Sequence, residues 1–339
     1  MKLALDAAAG DLGLEPNIEG AIQAATAYGV ELVLVGPAKR VQEQLSARGI
    51  GASDRRFEVV DAPELIGMAE DPAAACRAKP RASVMVCAEL VASGKAAGFV
   101  SVGHSGASMV AALWHLKRLP GVQRPAIAVP LPTTRGYTVL LDAGANTECK
   151  PWHLLQFAAM GSLYAKHVLG VASPKVGLLS NGEEECKGND LVRETLPLLK
   201  TSGLDFYGPV EGRDVTAGAV DVVVCDGFTG NVVVKTMEGM ATAMMAALKS
   251  EVEKSSLSKL GAILMRGAFS SLKKRLSYDE YGGAPLLGVG GTAVIAHGRS
   301  NAKAVSNALR VAAQLASEKV NEHIVTDLAA RHQLEGISK

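Results

Sequence analysis

The chain has 339 residues, of which 48% are hydrophobic and 4% aromatic, and its formal net charge is +1. This hydrophobic content is enough for a substantial core and argues against a disordered chain, while the near-neutral charge gives no overall field for nucleic acid. The low aromatic content and the abundance of small aliphatic residues favour helices packed closely on a sheet over a β-sandwich.

Nine apolar runs predict strands, and helical or turn-forming sequence separates them. Most of the runs are continuously apolar instead of alternating, which is typical of strands that helices cover on both faces. The sequence therefore predicts an α/β fold with a doubly wound, mainly parallel sheet and helices on both faces. In chain order the runs are KLALDA, ELVLVG, FEVVDA, AGFVSVG, AIAVPL, YTVLLDAG, KVGLLSNG, VDVVVCDG and LLGVGGTAVIAHG.

Helical patterns occur between these runs, at 151–169, 188–201, 231–253 and 301–331, and several begin at capping residues. No linker, repeat or low-complexity segment divides the chain. We therefore expect one integrated unit over residues 1–339. If it has two lobes, we expect them to flank a cleft and not to form separable domains.

The termini and the cysteines bear on location and on metals. Asp6 interrupts the first apolar run too early for a signal peptide, and no apolar stretch reaches the roughly 18 residues that span a bilayer. The five cysteines are dispersed and never spaced C-x-x-C, which predicts free thiols and no zinc site. The sequence thus predicts a cytoplasmic protein without a bound metal.

Small or polar loops follow the carboxyl ends of five predicted strands. In an open α/β sheet these ends converge on one crevice, where helix N-termini present N–H groups and positive dipole ends to anions. Turn and capping requirements explain any single loop, whereas five together predict an anion site. None carries a dinucleotide or Walker motif, so no cofactor is predicted. The loops are GHSGAS (103–108), DAGAN (142–146), NGEEECKGN (181–189), DGFTGN (226–231) and HGRSN (297–301).

Four side chains in these loops are candidates for ligand contact. Lys187 precedes a predicted helix, where a cation opposes the helix dipole unless an anion is nearby. The alternative is a surface lysine that neutralises residues 183–185, which are three glutamates. Asn231 either caps the following helix or donates its amide to a phosphate or carbonyl oxygen. His104 and His297 lie in glycine-containing turns from which an imidazole can reach a ligand.

Several long blocks resemble the signatures of the bacterial phosphate acyltransferase (PlsX) family, in order and over essentially the whole chain. The resemblance implies a fold similar to phosphotransacetylases and to the isocitrate dehydrogenase group, usually in a homodimer. It also implies that inorganic phosphate attacks the thioester of acyl–acyl carrier protein, giving acyl phosphate and free carrier. The acyl phosphate would then feed a membrane glycerol-3-phosphate acyltransferase in phospholipid synthesis. The blocks are LLDAGANTECKP, FAAMG, KVGLLSNGEEECKGN, VEGRD, DVVVCDGFTGNVVVKTMEG and YGGAPLLGV…IAHGRS.

With that reaction, Lys187 would supply a charge to phosphate or to the oxyanion, and Asn231 with the backbone N–H groups of 227–231 would donate hydrogen bonds. Asp226 would orient Lys187 or the turn. The chain departs from the usual family pattern at DAAAGD, SVGHSGA and Pro209, but not at these three residues. The further substrate-binding candidates are Gly103, His104, Ser105, Gly106, Asn146, Gly188, Asn189, Gly227, Thr229, Gly230, Gly282, Gly283 and His297.

The sequence predicts an amphipathic helical hairpin at about 250–280, and the pattern that indicates it lies in residues 254–277. Apolar residues recur there at i, i+4 spacing beside five lysines and arginines between Lys259 and Arg275, and the stretch contains no acid. Such a surface suits the anionic inner face of the cell membrane, or acidic acyl carrier protein. Packing against a twin chain in a dimer is an alternative that is compatible with both. The predicted contact residues are Lys259, Leu260, Leu264, Arg266, Leu272, Lys273 and Lys274.

Three other functions remain open at this stage. A phosphotransacetylase-type enzyme using acyl-coenzyme A would share the anion-binding turns. A metal- and NAD-dependent decarboxylating dehydrogenase of related fold would need a carboxylate cluster for a divalent metal, and the loops offer no convincing one. A catalytically silent adaptor would only dock carrier protein at the membrane.

Overall fold

The computed structural model describes the backbone of residues 1–276 and 282–337, and the side chains of residues 1–272 and 282–331. Strands and helices alternate through these residues. The strands are β1 (Lys2–Asp6), β2 (Glu31–Gly36), β3 (Phe57–Asp61), β4 (Gly98–Ser101), β5 (Ala126–Ile127), β6 (Val129–Thr133), β7 (Gly136–Leu141), β8 (Val176–Leu179), β9 (Phe206–Val210), β10 (Val222–Val224), β11 (Ala284–Leu287) and β12 (Thr292–Ile295).

The helices cover both faces of the strands. They are α1 (Leu14–Tyr28), α2 (Ala38–Ser46), α3 (Pro72–Ala78), α4 (Ser83–Ala92), α5 (Ser105–His115), α6 (Pro151–His167), α7 (Asp190–Thr201), α8 (Gly212–Ala217), α9 (Gly227–Glu253), α10 (Ser256–Leu264), α11 (Arg266–Leu276), α12 (Ala302–Ser317) and α13 (Val320–Ile337).

The strands form two sheets, and this confirms the predicted α/β class while dividing the single expected sheet. The seven-stranded sheet has the order β3-β2-β1-β4-β12-β11-β5, and the five-stranded sheet has the order β6-β7-β10-β8-β9. Neighbours are parallel except that β11 runs opposite to β12 and β5, and β6 runs opposite to β7. All nine predicted runs contain strands.

The run AIAVPL shows where the sheets divide. Only Ala128 separates β5 from β6, yet β5 pairs with β11 in one sheet and β6 pairs with β7 in the other. The two sheets are therefore joined directly at this point. Their apolar faces also belong to one core, because Leu3 and Leu34 of the first sheet share a buried cluster with Val139 and Val222 of the second.

Two helical predictions differ from the structure. The segment 301–331 forms two helices, because Lys319 adopts φ 50°, a left-handed conformation that interrupts α-helical geometry. The segment predicted to begin at Asn231 begins instead at Gly227. One strand, β9, was not predicted, since its Gly208 and Pro209 obscure the strand pattern.

The predicted hairpin is helical where the structure describes it. The long helix α9 runs out from the sheets and is followed by α10 and α11, whereas residues 277–281 and the side chains of Lys273 and Lys274 lie outside the described residues. In the described part, Leu257 and Leu264 are each 80% exposed. No described helix is both long enough and apolar enough to cross a membrane.

Candidate active site

A cavity of about 270 Å³ lies where strands of both sheets end. The first sheet contributes the segments that follow β4 and β12, and the second contributes the loop after β7 and the first turns of α9. The cavity therefore combines polar groups from strand-end turns with apolar strand and helix residues. Its polar lining includes Ser105, Asn231, His297 and Ser300, and its apolar lining includes Ile127, Val129, Val234 and Ile295.

The carboxylate of Asp142, directly after β7, organises one wall of this cavity. The side chain is fully buried. Its Oδ1 accepts hydrogen bonds from the backbone N–H groups of Ile127, Gly144 and Ala145 at 3.0–3.2 Å. Its Oδ2 accepts from the backbone and side-chain nitrogens of Asn146 at 2.7 and 2.8 Å. Burial raises the pKa of Asp142, and these hydrogen bonds oppose that shift.

The glycines of the DGFTGN motif allow the 142–146 loop to lie against the start of α9. A Cβ on Gly227 would lie 2.6 Å from the carbonyl oxygen of Asn146, and a Cβ on Gly230 would lie 1.9 Å from that of Asp142. Neither position tolerates a side chain without movement of the loop. The close approach also sets Asn231 against Gly144, whose added Cβ would be 3.4 Å from the Asn231 amide nitrogen.

Asp226 directly precedes Gly227 and is the N-cap of α9. Its Oδ1 accepts from the Thr229 amide at 2.9 Å, and its Oδ2 accepts from the Thr229 hydroxyl at 2.7 Å. The Gly227 amide donates to the carbonyl oxygen of Asn146 at 2.7 Å. Asp226 therefore holds the turn, one of the two roles expected of it, and the amides of Gly227 and Thr229 have acceptors within the protein. The expectation that they point to an anion does not hold.

The two candidate histidines have the same local arrangement on neighbouring strands. His104 caps α5, and its Nδ1 accepts from the Gly106 amide at 3.1 Å. His297 follows β12, and its Nδ1 accepts from the Arg299 amide at 3.1 Å. In each neutral ring the proton is therefore assigned to Nε2, which becomes a donor. His297 lines the cavity, and Ser105 beside His104 does so too.

Lys187 lies on the exposed loop between β8 and α7 and is not among the residues that line the cavity. Two of the three glutamates before it have other partners. Glu183 forms an ion pair with Arg213 at 2.8 Å, and Glu185 forms one with Lys200. In the described part of the chain Lys187 forms no ion pair, so it does not neutralise these two acids. Because β8 is parallel to β10 and beside it, this loop leaves the same sheet edge as the start of α9.

The other predicted binding residues fall into two groups. Gly283 lines the cavity and Gly282 precedes it, while Gly103 and Gly106 flank the cap of α5. Asn146 and Asn189 have structural hydrogen bonds instead. The Asn146 amide donates to the carbonyl oxygen of Pro125 and to Asp142. Asn189 caps α7, and the amide of Gly188 donates to Asn181.

Sequence reasoning missed two residues that the structure makes central. Asp142 stands in a loop that was recognised, but its partner Ile127 lies on a strand whose pairing the sequence does not reveal. Ser300 stands in the recognised HGRSN turn, and only its burial in the structure distinguishes it from a surface serine. The signal for both was their position in a polar turn that follows a strand.

Known structures share this fold, and curated relatives share much of this sequence. A solved phosphotransacetylase from Streptococcus pyogenes is similar over 94% of each chain, with a TM-score of 0.61 and 17% identity, which establishes the fold alone. A curated protein named phosphate acyltransferase from Elusimicrobium minutum (strain Pei191) is 53% identical over 97% of this chain and 95% of its own length. One of the same name from Geotalea uraniireducens (strain Rf4) is 49% identical over 98% and 96%.

These matches define the chain as an acyltransferase. It belongs to the family described as fatty acid synthesis protein, whose model matches residues 1–323. The motifs resemble those of the phosphate acyltransferase (PlsX) family, and these matches confirm that resemblance.

The close contact between α9 and the 142–146 loop predicts a cost for Gly230→Ala. Its Cβ would lie 1.9 Å from the Asp142 carbonyl oxygen, and overpacking of this kind costs about 1–3 kcal/mol or more. We expect the free energy of unfolding in urea to fall by at least that amount. Gly239→Ala on the same helix is the control, because beyond the neighbouring backbone of the helix no described atom lies within 4 Å of its added Cβ. Equal stabilities of the two variants would contradict the packing described here.

Proposed function

We propose that this protein transfers a fatty acyl group from acyl–acyl carrier protein to inorganic phosphate. An oxygen of HPO₄²⁻ attacks the thioester carbonyl carbon and forms the new C–O bond. The C–S bond then breaks, the electron pair leaves with sulfur, and the proton that phosphate carried passes to the thiolate. The products are acyl phosphate and the free carrier thiol.

The observation that carries this proposal is the two-sided character of the cavity. Helices α5, α9 and α12 all begin close to it, since Ser105, Asn231 and Ala304 are lining residues within their first two turns. Helix N-termini favour an anion. The other side of the cavity is apolar, because Val129 and Val234 line it and can contact a lipid-derived chain.

Phosphate is anionic and nucleophilic at neutral pH, so the protein needs chiefly to orient it and to stabilise charge on the thioester oxygen. We assign the Asn231 side-chain amide to donation toward that oxygen, because Asn231 lines the cavity near the start of α9. Lys187 would contribute its ammonium group from the neighbouring loop. Among the described residues this ammonium group forms no ion pair, so it is available to an anion.

The proposed reaction is tested by mixing acyl–acyl carrier protein with the enzyme in the presence and absence of phosphate. Release of free carrier thiol must depend on phosphate and must yield acyl phosphate in equal amount. Acyl-coenzyme A is offered in parallel, because faster turnover of the coenzyme A thioester would indicate the phosphotransacetylase-type alternative. No release with either thioester would leave the adaptor function as the better account.

Asn231→Ala and Lys187→Ala should each reduce turnover. Removal of a preorganised oxyanion donor typically lowers kcat by about 100- to 1,000-fold. The measurement is the initial rate of thiol release at saturating phosphate, with circular dichroism confirming the fold. Lys39→Ala, at an exposed helical lysine, is the matched control for the lost charge. Near-normal turnover of a folded Asn231→Ala protein would remove Asn231 from the mechanism.

We further propose that α10 and α11 attach the enzyme to the anionic inner face of the cell membrane, as a homodimer. Leu260, Ile263 and Leu264 are 56%, 68% and 80% exposed on α10. Lys259 and Arg266 are exposed beside them. Apolar side chains edged by cations suit an anionic lipid surface. Acyl phosphate released there would reach a membrane glycerol-3-phosphate acyltransferase without leaving the surface.

Leu264→Glu should weaken binding to vesicles that contain anionic phospholipid. Withdrawal of one buried leucine costs roughly 1.5–3 kcal/mol, or about tenfold in partition or more, and the added negative charge opposes binding further. Sedimentation with vesicles measures the bound fraction. Leu65→Glu, at a leucine 41% exposed away from the hairpin, makes the same chemical change as a control. If Leu264→Glu sediments like the unmodified protein, the hairpin is not the attachment surface.

A further inference from the structure

The hydroxyl of Ser300 is buried in the cavity wall and has no hydrogen-bond partner within the described part of the chain. The residue is 3% exposed, and among the described residues its Oγ finds no donor or acceptor. A buried hydroxyl without a partner costs free energy, so native structures seldom retain one unless a ligand or water completes it. Ser300 also lines the cavity that contains Asn231 and His297. This combination points to a bound ligand.

The position of Ser300 identifies the kind of ligand. It lies in the turn between β12 and α12, and its amide donates to the carbonyl oxygen of His297 at 2.9 Å. The next residue, Asn301, caps α12 by accepting from the Ala304 amide at 3.0 Å. The helix that begins here is 16 residues long. Its positive dipole end therefore lies beside the unpartnered hydroxyl, which favours an anion.

Other groups at this end of the cavity are compatible with an anion. His297, on the same turn, also lines the cavity, and its Nδ1 accepts from the Arg299 amide. The acid that lines the cavity, Glu238, is paired with Lys235 at 2.9 Å. Lys235 also lines the cavity, so a cation accompanies this acid.

We propose that Ser300 is a phosphate-binding residue. In this arrangement its Oγ–H donates to inorganic phosphate at the N-terminus of α12. The inference rests on the proposed function and specifies which turn holds the nucleophile. The 226–231 segment cannot offer the amides of Gly227 and Thr229, which are already used. Asn231 then faces the thioester from the opposite wall, and phosphate approaches the carbonyl carbon from the Ser300 side.

The first test measures phosphate binding without any acyl donor, so that it does not depend on turnover. Ser300→Ala should be at least as stable as the unmodified protein without phosphate, because the substitution removes an unpartnered buried hydroxyl. Addition of inorganic phosphate at constant ionic strength should raise the Tm of the unmodified protein and raise that of Ser300→Ala much less. Ser162→Ala is the matched control, since Ser162 Oγ is also buried and unpartnered but does not line the cavity.

The second test measures steady-state kinetics with acyl–acyl carrier protein. Loss of a hydrogen bond to a charged group should raise the KM for phosphate at least about tenfold in Ser300→Ala. The KM for the acyl donor should change little. Ser300→Thr, which keeps the hydroxyl, should recover much of the phosphate affinity.

The outcomes separate the two levels of the argument. If the unmodified protein shows no phosphate-dependent thiol release, the proposed function fails. If it is active but Ser300→Ala keeps both the phosphate-induced Tm shift and the KM for phosphate, the assignment of Ser300 is wrong. A Ser300→Ala protein that is less stable without phosphate would indicate a structural role instead and would also overturn the assignment.

Discussion

The site depends on the buried carboxylate of Asp142 and the five N–H groups that donate to it. One of these belongs to Ile127 on β5 in the seven-stranded sheet, whereas Asp142 follows β7 in the five-stranded sheet. The interaction therefore fixes the two sheets relative to each other at the point where the chain crosses between them. Burial of a carboxylate is costly, and the hydrogen bonds compensate for much of that cost.

From this carboxylate the geometry extends to the catalytic candidates. Asn146 donates to Asp142 and accepts from Gly227, so the loop after β7 holds the first turn of α9. Asn231 follows that turn and lines the cavity, and Gly230 allows the close approach because it has no side chain. Across the cavity, β12 ends in a turn that carries Ser300 and His297. Two sheets thus supply opposite walls, which explains why strand ends far apart in sequence form one site.

The fold class and the location of the site could be predicted from the sequence for a definite physical reason. Continuous apolar runs indicate strands that helices cover on both faces. Glycine-rich turns after these runs indicate the sheet edge at which the strands' carboxyl ends lie. AIAVPL could not be divided by the same reasoning, because the pairing of β5 and β6 with different sheets depends on long-range contacts. Lys319 gives no sequence signal for its left-handed conformation. The predicted start of α9 is wrong, because Asp226, and not Asn231, provides the cap.

Prediction of the site itself was less complete than prediction of the fold. Ser105, Asn231 and His297 were selected from motif position and do line one cavity. Asn146 and Thr229 were selected by the same criterion, but their polar groups stabilise the loops instead. A polar residue after a strand can serve either purpose, and only burial and hydrogen-bond partners distinguish them. For Ser300 the lack of a partner among the described residues was the informative feature.

The most direct test of the account is a crystal structure determined with inorganic phosphate and a non-hydrolysable acyl thioester analogue. The account predicts phosphate at the N-terminus of α12, with an oxygen roughly 2.6 Å from Ser300 Oγ, and the thioester carbonyl oxygen beside Asn231. The acyl chain should lie along Val129 and Val234. Phosphate bound elsewhere, with Ser300 still unpartnered and the cavity without the acyl group, would contradict it.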